Sequence, residues 1–204
     1  PPPGAGEVSA ELVFRPTTTC PRIEAPALDG RLDEPGWQQA ARLGPFVVVA
    51  DGSAPQELTH ALIGRDDDYL YVAFECMESR MVEIHAEAEP KPGVSNPAVH
   101  QDDSVEVFLD PPGEAPYLQL AANCLGAQKT RGEAKWEVAT SRGKDRWTVE
   151  MRILLKSLGV PIEPGGRLGA NFCRTQIRLK EHSAWSPTGR SFHAPDRFGA
   201  IIFE

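Results

Sequence analysis

The chain has 204 residues, 41% of them hydrophobic and 25% charged, with a formal net charge of −8. That make-up suits one large globular domain able to bury a core. The acidic balance, with no basic stripe to offset it, argues against nucleic acid as the main partner, and no apolar run approaches the roughly 20 residues needed for membrane insertion.

Residues 1–15 are expected to form a flexible N-terminal tail, and residues 16–204 the folded domain. Pro1 to Glu11 are rich in Pro, Gly and Ala and lack an apolar signal core, which reads as the processed start of a longer precursor. The first structured signal is Asp33-Glu34-Pro35-Gly36-Trp37. It reads as an N-cap and acidic first turn with an early proline. A short helix follows, with Trp37, Ala40 and Ala41 on one face. Phe46–Ala50 and Leu58–Ile63 are strand candidates. Asp66-Asp67-Asp68 is read as a polar hairpin turn before a strand with Leu70, Val72, Phe74 and Cys76 on one face.

Period-2 alternation then recurs. In Ser104–Leu109, Val105, Val107 and Leu109 face one way, and Ser104, Glu106 and Phe108 the other. Tyr117–Cys124 directs Leu118, Leu120, Ala122 and Cys124 inward, and Gln119, Ala121 and Asn123 outward. Arg146–Ile153 sets Trp147, Val149, Met151 and Ile153 against polar partners. Leu154–Leu158, ending at Gly159, suggests a second single turn. Leu168–Leu179 and Phe198–Phe203 are the last strands. With 19 prolines and 18 glycines separating short strands, and no long helical pattern between them, the fold class is all-β: an antiparallel, jelly-roll-like β-sandwich with one short N-terminal helix.

The alternation nominates a concave, non-core sheet face carrying Glu106, Gln119 and Asn123, with Arg174 a candidate to join them. Trp185 and Phe192 lie in a Pro- and Gly-rich segment that either plugs the sandwich edge or floors a ligand pocket, and His193 before Ala194-Pro195 either contacts ligand or caps the last turn. Trp37 and Trp147 read as core, while Trp136 is open to both readings. Cys76, Cys124 and Cys173 read as small buried hydrophobes, and Cys20 is the first candidate for a disulfide. No C-x-x-C pair favours zinc. Catalytic templates are missing too: G-x-S-x-G, H-E-x-x-H and a phosphate-binding glycine loop are all absent. A carboxylate pair such as Glu106 with Asp102 is the one arrangement that would serve a glycosidase, and the expectation is a protein that is not an enzyme.

An ordered series of local patterns resembles the family 9 carbohydrate-binding modules (CBM9) and their DOMON-like relatives. It runs from Leu28-Asp29-Gly30-Arg31-Leu32-Asp33-Glu34-Pro35-Gly36-Trp37 through Asp66-Asp67-Asp68-Tyr69-Leu70-Tyr71 and Asp102-Asp103-Ser104-Val105-Glu106-Val107-Phe108. It continues with Asn123 and Gly126, Trp147-Thr148-Val149-Glu150, Gly169-Ala170-Asn171-Phe172, Trp185-Ser186-Pro187 and Phe192-His193-Ala194-Pro195. The resemblance implies a non-catalytic β-sandwich that grips a sugar end between two aromatic rings, with carboxylate and amide groups reading hydroxyls. On that pattern Glu106 and Asn123 match polar ligand contacts, and Phe192 falls where one stacking ring would stand. The other ring's stretch, Asn96–Gln101, offers only the His100 imidazole, and Ala121 replaces a family arginine. The expected ligand set is Glu106, Asn123, Arg174, Trp185, Phe192, His193, Gln119 and His100.

The resemblance also implies structural calcium (Ca2+), for which Asp102, Asp103 and Asp110 are the candidate ligands. It further implies a carbohydrate partner and an extracellular or periplasmic location within a larger secreted system. Two alternatives stand beside the sugar reading. One is a DOMON-like haem-binding electron-transfer domain, needing an axial pair drawn from the histidines and Met77, Met81 or Met151. The other is an accessory interaction domain with a degenerate pocket.

Overall fold

A computed structural model describes residues 15–91, 93–113, 116–159 and 162–204; apart from Arg15, the expected tail lies outside them. Among the described residues, thirteen strands form two sheets packed face to face, joined by one α-helix and short 3-10 turns. The first sheet holds β1 (Thr17–Cys20), β3 (Val47–Val48), β6 (Ser104–Asp110), β7 (Leu118–Asn123), β8 (Gln128–Arg131), β11 (Arg167–Gln176), β12 (Glu181–Ala184) and β13 (Gly199–Phe203). Its order is β1-β13-β11-β6-β7-β8, with β12 and then β3 extending from the far end of β11. The second sheet runs β2 (Ala41–Leu43), β4 (Thr59–Arg65), β5 (Tyr69–Met77), β10 (Arg146–Leu154), β9 (Trp136–Arg142). All pairings are antiparallel except β1 with β13.

Alternation decides which side chains meet between the sheets. Val105, Val107 and Leu109, Leu118, Leu120 and Ala122, and Ala170 and Phe172 face Ile63, Val72, Phe74, Trp147, Val149 and Met151 across one core. Trp147 is fully buried there, and Trp37 closes a smaller cluster with Ile23, Leu62 and Tyr71 on the far side of the second sheet. Trp136 packs half-buried against the core and donates to Thr130 Oγ1 at 2.8 Å. All four cysteines are buried and free, so Cys20 has no disulfide partner; burial pushes its thiol up to about 12.

The helix α1 spans Pro35–Gln39, one residue later than the capping signal suggests: Glu34, not Asp33, is the N-cap, and Ala41 already begins β2. The single turn at Leu155–Leu158 forms as a 3-10 helix and stops at Gly159 in the left-handed region (φ 68°), where glycine bears no Cβ penalty. Asp66 makes the hairpin turn between β4 and β5: its Oδ1 accepts from Asp68 N and Tyr69 N, and its Oδ2 from the Tyr71 hydroxyl at 2.6 Å. The expected strand Leu168–Leu179 breaks at Gln176. Residues 177–180 turn the chain back into β12, which pairs with β11.

The outer face of the first sheet is not left to solvent. A second apolar cluster of Val49, Phe108, Cys173, Ala184, Phe192 and Phe198 covers one part. The segment 85–101 covers another through Ala88 and Val99, which pack on Ala121. Between these covers lies a pocket.

Candidate binding pocket

Glu106 stands at mid-strand in β6 on the outer face of the first sheet. Its cross-strand neighbours are Ala121 on β7 and Cys173 on β11, both small enough to leave space above the carboxylate. Only 5% of Glu106 is exposed. Gln119 Nε2 donates to its Oε2 at 2.5 Å, and Oε1 accepts no hydrogen bond among the described residues. Burial holds the carboxyl above the usual glutamate range, against the opposing pull of the Gln119 bond and the positive side of Lys129 and His100.

The cavity over Glu106 measures about 450 Å³ and is walled by His100, Thr175, His182, Phe192 and His193, with Val48–Ala50 and residues 179–181 and 190 at its margin. That is room for a small polar ligand with an apolar face. Phe192 is held by Phe108 (6.3 Å between ring centroids) and by an edge-on contact with His182 at 5.5 Å. The Tyr117 hydroxyl accepts from Arg131 Nη1 at 2.9 Å and lies 2.8 Å from His193 Nδ1. The hydroxyl either donates its proton to Nδ1 or accepts from Nδ1–H, according to the His193 tautomer. Burial, with Arg131 and Lys129 nearby, keeps His193 below its ordinary value and so neutral. The chemistry on offer is a carboxylate acceptor, hydroxyl and imidazole groups, and an aromatic face.

Of the eight residues expected to contact ligand, Glu106, His100, Phe192 and His193 line this pocket, and Gln119 supports Glu106 from beside it. Three do not reach it. Asn123 is fully buried under segment 85–101: Nδ2 donates to Ala88 O and Asp102 Oδ2, and Oδ1 accepts from Leu125 N and Ala127 N. Its hydrogen-bonding capacity is spent on the fold. Arg174 faces the opposite way, because Leu168, Ala170 and Phe172 set its side of β11 toward the core. It lies over the Trp147 ring at 5.9 Å and donates to Thr59 Oγ1 at 3.2 Å. Trp185 packs edge-on against Phe172 at 5.7 Å in the inter-sheet core.

Thr175 and His182 are pocket residues the sequence reading missed. Thr175 continues the outward series of Cys173 by two residues, so the signal was present. His182 was hidden because the run through Leu179 reads as one strand, while the turn brings His182 opposite Thr175, 3.2 Å from its Oγ1.

The expected calcium ligands do not converge. Asp102 accepts from Glu87 N, Ala88 N and Asn123, and Asp103 from His85 N and Ile177 N. N–H donors already satisfy both carboxylates, and among the described residues no set of three potential ligands gathers around them. Asp110 ends β6 at the far side from Asp102 and Asp103. Oxygens of Asp29, Glu34 and Glu150 do gather within 4.8 Å of one another. There Glu150 accepts from Asp29 N, Gly30 N and Trp37 Nε1, and Glu34 Oε2 is buried without a hydrogen-bond partner. An orphaned carboxylate oxygen of this kind fits an oxygen-seeking cation. For haem, no methionine lines the pocket. Met151 is buried in the inter-sheet core and Met81 packs against it.

Residues 28–204 match the family model for the carbohydrate family 9 binding domain-like family. No curated protein sequence matches the chain. Among solved structures, a family 9 carbohydrate-binding module from Caldicellulosiruptor kristjanssonii in complex with cellotriose is similar at 20% identity and a TM-score of 0.72, covering 93% of this chain and 94% of its own. A glucose complex of a family 9 module from the same organism gives 20% identity and 0.70, covering 93% and 96%. A Bacteroides uniformis structure whose name proposes carbohydrate binding gives 18% and 0.73, covering 94% and 100%. At these identities the likeness shows a shared fold.

Proposed function

Since the chain belongs to the carbohydrate family 9 binding domain-like family, we propose that it is a non-catalytic module that holds a small sugar or oligosaccharide end in the pocket above Glu106. One observation carries this reading. A nearly buried carboxylate is kept at the floor of a cavity with one oxygen free of partners, beside the ring of Phe192. A carboxylate largely withdrawn from water with one oxygen facing only the cavity is poorly stabilised in the empty protein. It becomes useful when a pair of sugar hydroxyls completes it. The similar modules bound to cellotriose and glucose support the ligand class.

On this reading Glu106 accepts hydroxyl protons, Gln119 orients it, Phe192 meets the C–H face of the ring, and the His193 imidazole and Thr175 complete the polar wall. The other carboxylate of the lining, Glu181, accepts from Gln56 N at 3.3 Å, which supports a binding role over paired-carboxylate hydrolysis. Structural calcium, where the module holds it, is assigned to Asp29, Glu34 and Glu150 and would tie the loop before α1 to β10. An extracellular or periplasmic location belongs to the same proposal, since polymeric sugars are met there.

Calorimetry with a panel of neutral and acidic sugars tests it. Saturable binding in the micromolar-to-millimolar range is expected, weakened about ten- to a hundredfold in Glu106→Gln, as for losing hydrogen bonds to a charged acceptor. No heat from any sugar, or equal affinity in Glu106→Gln, contradicts it.

A further inference from the structure

We propose that the pocket prefers an acidic sugar, a uronic acid unit whose hydroxyls meet Glu106 while its carboxylate lies between Lys180 and Arg190 at the mouth. The inference rests on the reading of this pocket as a sugar site and concerns which sugars it takes.

Glu106 is at the floor and almost buried, whereas Lys180 and Arg190 are exposed at the margin of the same cavity. Neither cation has a hydrogen bond or ion pair among the described residues. Lys129 and Arg131 on β8 add positive charge close enough to act on His193 of the same pocket. The chain as a whole carries −8, so this concentration of positive charge runs against its overall balance. The opposing acid at the mouth, Glu181, is engaged by Gln56 N.

Lys180 carries a second mark. Its φ of 50° makes it the one non-glycine residue in the left-handed region among those described. It closes the turn from β11 to β12, with its N–H donating to Ile177 O at 3.1 Å. Such a turn position favours glycine or asparagine, and a lysine there is held under backbone strain. Strain kept at the rim of a pocket points to use of the side chain rather than to the needs of the turn. A neutral sugar gives these two cations nothing to pair with. A carboxylate presented outward from a ring whose hydroxyls point inward satisfies both.

The test is calorimetry with glucose, glucuronate, galacturonate and glucosamine, at low salt and again at about 0.3 M NaCl, where charge pairs at the surface are screened. A uronate is expected to bind about five- to tenfold tighter than its neutral parent at low salt, with the advantage shrinking at high salt. Lys180→Gly with Arg190→Ala should remove the advantage and leave neutral-sugar affinity in place. Lys180→Gly alone should raise Tm, since glycine accepts the left-handed backbone, so lost uronate affinity in it is not misfolding. Equal or weaker binding of uronates, or tightest binding of glucosamine, overturns the acidic preference alone. No binding by any of the four overturns both this preference and the sugar-site reading beneath it.

Discussion

Glu106 illustrates how one side chain can be a liability to folding and an asset to binding. Its raised pKa means that the folded state holds the proton more tightly than the unfolded chain does. Its contribution to stability is therefore fully present below the ordinary glutamate range and lost as pH rises through the folded value. Above that value the ionised, half-satisfied carboxylate opposes folding. Glu106→Gln is expected to raise Tm on the alkaline side of that value while weakening sugar affinity about ten- to a hundredfold. The gain should disappear when melts are repeated near pH 4. Sugar binding by the native chain should weaken as pH falls through a midpoint above the usual glutamate range, because the protonated carboxyl loses an acceptor. A variant that is both less stable and unable to bind would assign Glu106 to the fold instead. Glu106 was legible in the sequence because strict alternation put it beside Phe108 and away from Val105 and Val107. Arg174 was misread although the same alternation points it inward. A fully buried arginine is rare without a partner, and its partners Trp147, Thr59 and Glu78 lie far away in the chain.

At the scale of elements, two polar latches position the pocket's surroundings. One closes the end of the sandwich beyond β5. Glu78 is 1% exposed and accepts from Gln176 Nε2 and Arg178 Nη2, both at 2.6 Å, with Arg174 Nη2 at 3.7 Å. Glu57 joins through Arg178 at 3.0 Å. Removing Glu78 would leave two guanidinium groups without their shared acid at the start of the turn that carries Lys180. Glu78→Ala is expected to destabilise the domain by about 3–5 kcal/mol in urea unfolding, and a loss below about 1 kcal/mol would show the network to be dispensable. The second latch is Asn123 with Asp102, which pins segment 85–101 over Ala121 and so positions His100. Asn123→Ala should speed amide exchange in residues 85–101 and lower Tm, whereas direct ligand contact predicts lost affinity with the exchange unchanged. Neither latch was legible, since they join residues 14 to 121 positions apart. The polar edge strands β8 and β9 escaped too. Sequences such as Gln128-Lys129-Thr130-Arg131 have no buried face to print an alternation.

For the whole molecule, the two-sheet architecture follows from alternation repeated along nearly the whole chain, which is why fold class was readable before any coordinate. The site was only half readable. Residues that share a strand face, such as Glu106, Gln119 and Phe108, follow from local periodicity. The opposite wall depends on where residues 177–198 fold back, and no short-range pattern encodes that. The cluster of Asp29, Glu34 and Glu150 links the loop before α1 to the second sheet, away from the pocket. Calcium is expected to raise Tm relative to a chelator-treated sample without altering sugar affinity, and Glu34→Gln should remove that rise; identical melts in calcium and chelator would contradict the assignment. The central claim, that sugar enters the cavity above Glu106, is tested most directly by a backbone amide NMR titration with glucose, cellotriose and glucuronate. The account predicts saturable shifts concentrated at Glu106, Gln119, Thr175, Lys180, His182, Phe192 and His193, and absent in Glu106→Gln. Shifts centred elsewhere, such as the cleft lined by Tyr69, Trp136 and Arg152, or no shifts with any of the three sugars, would contradict it.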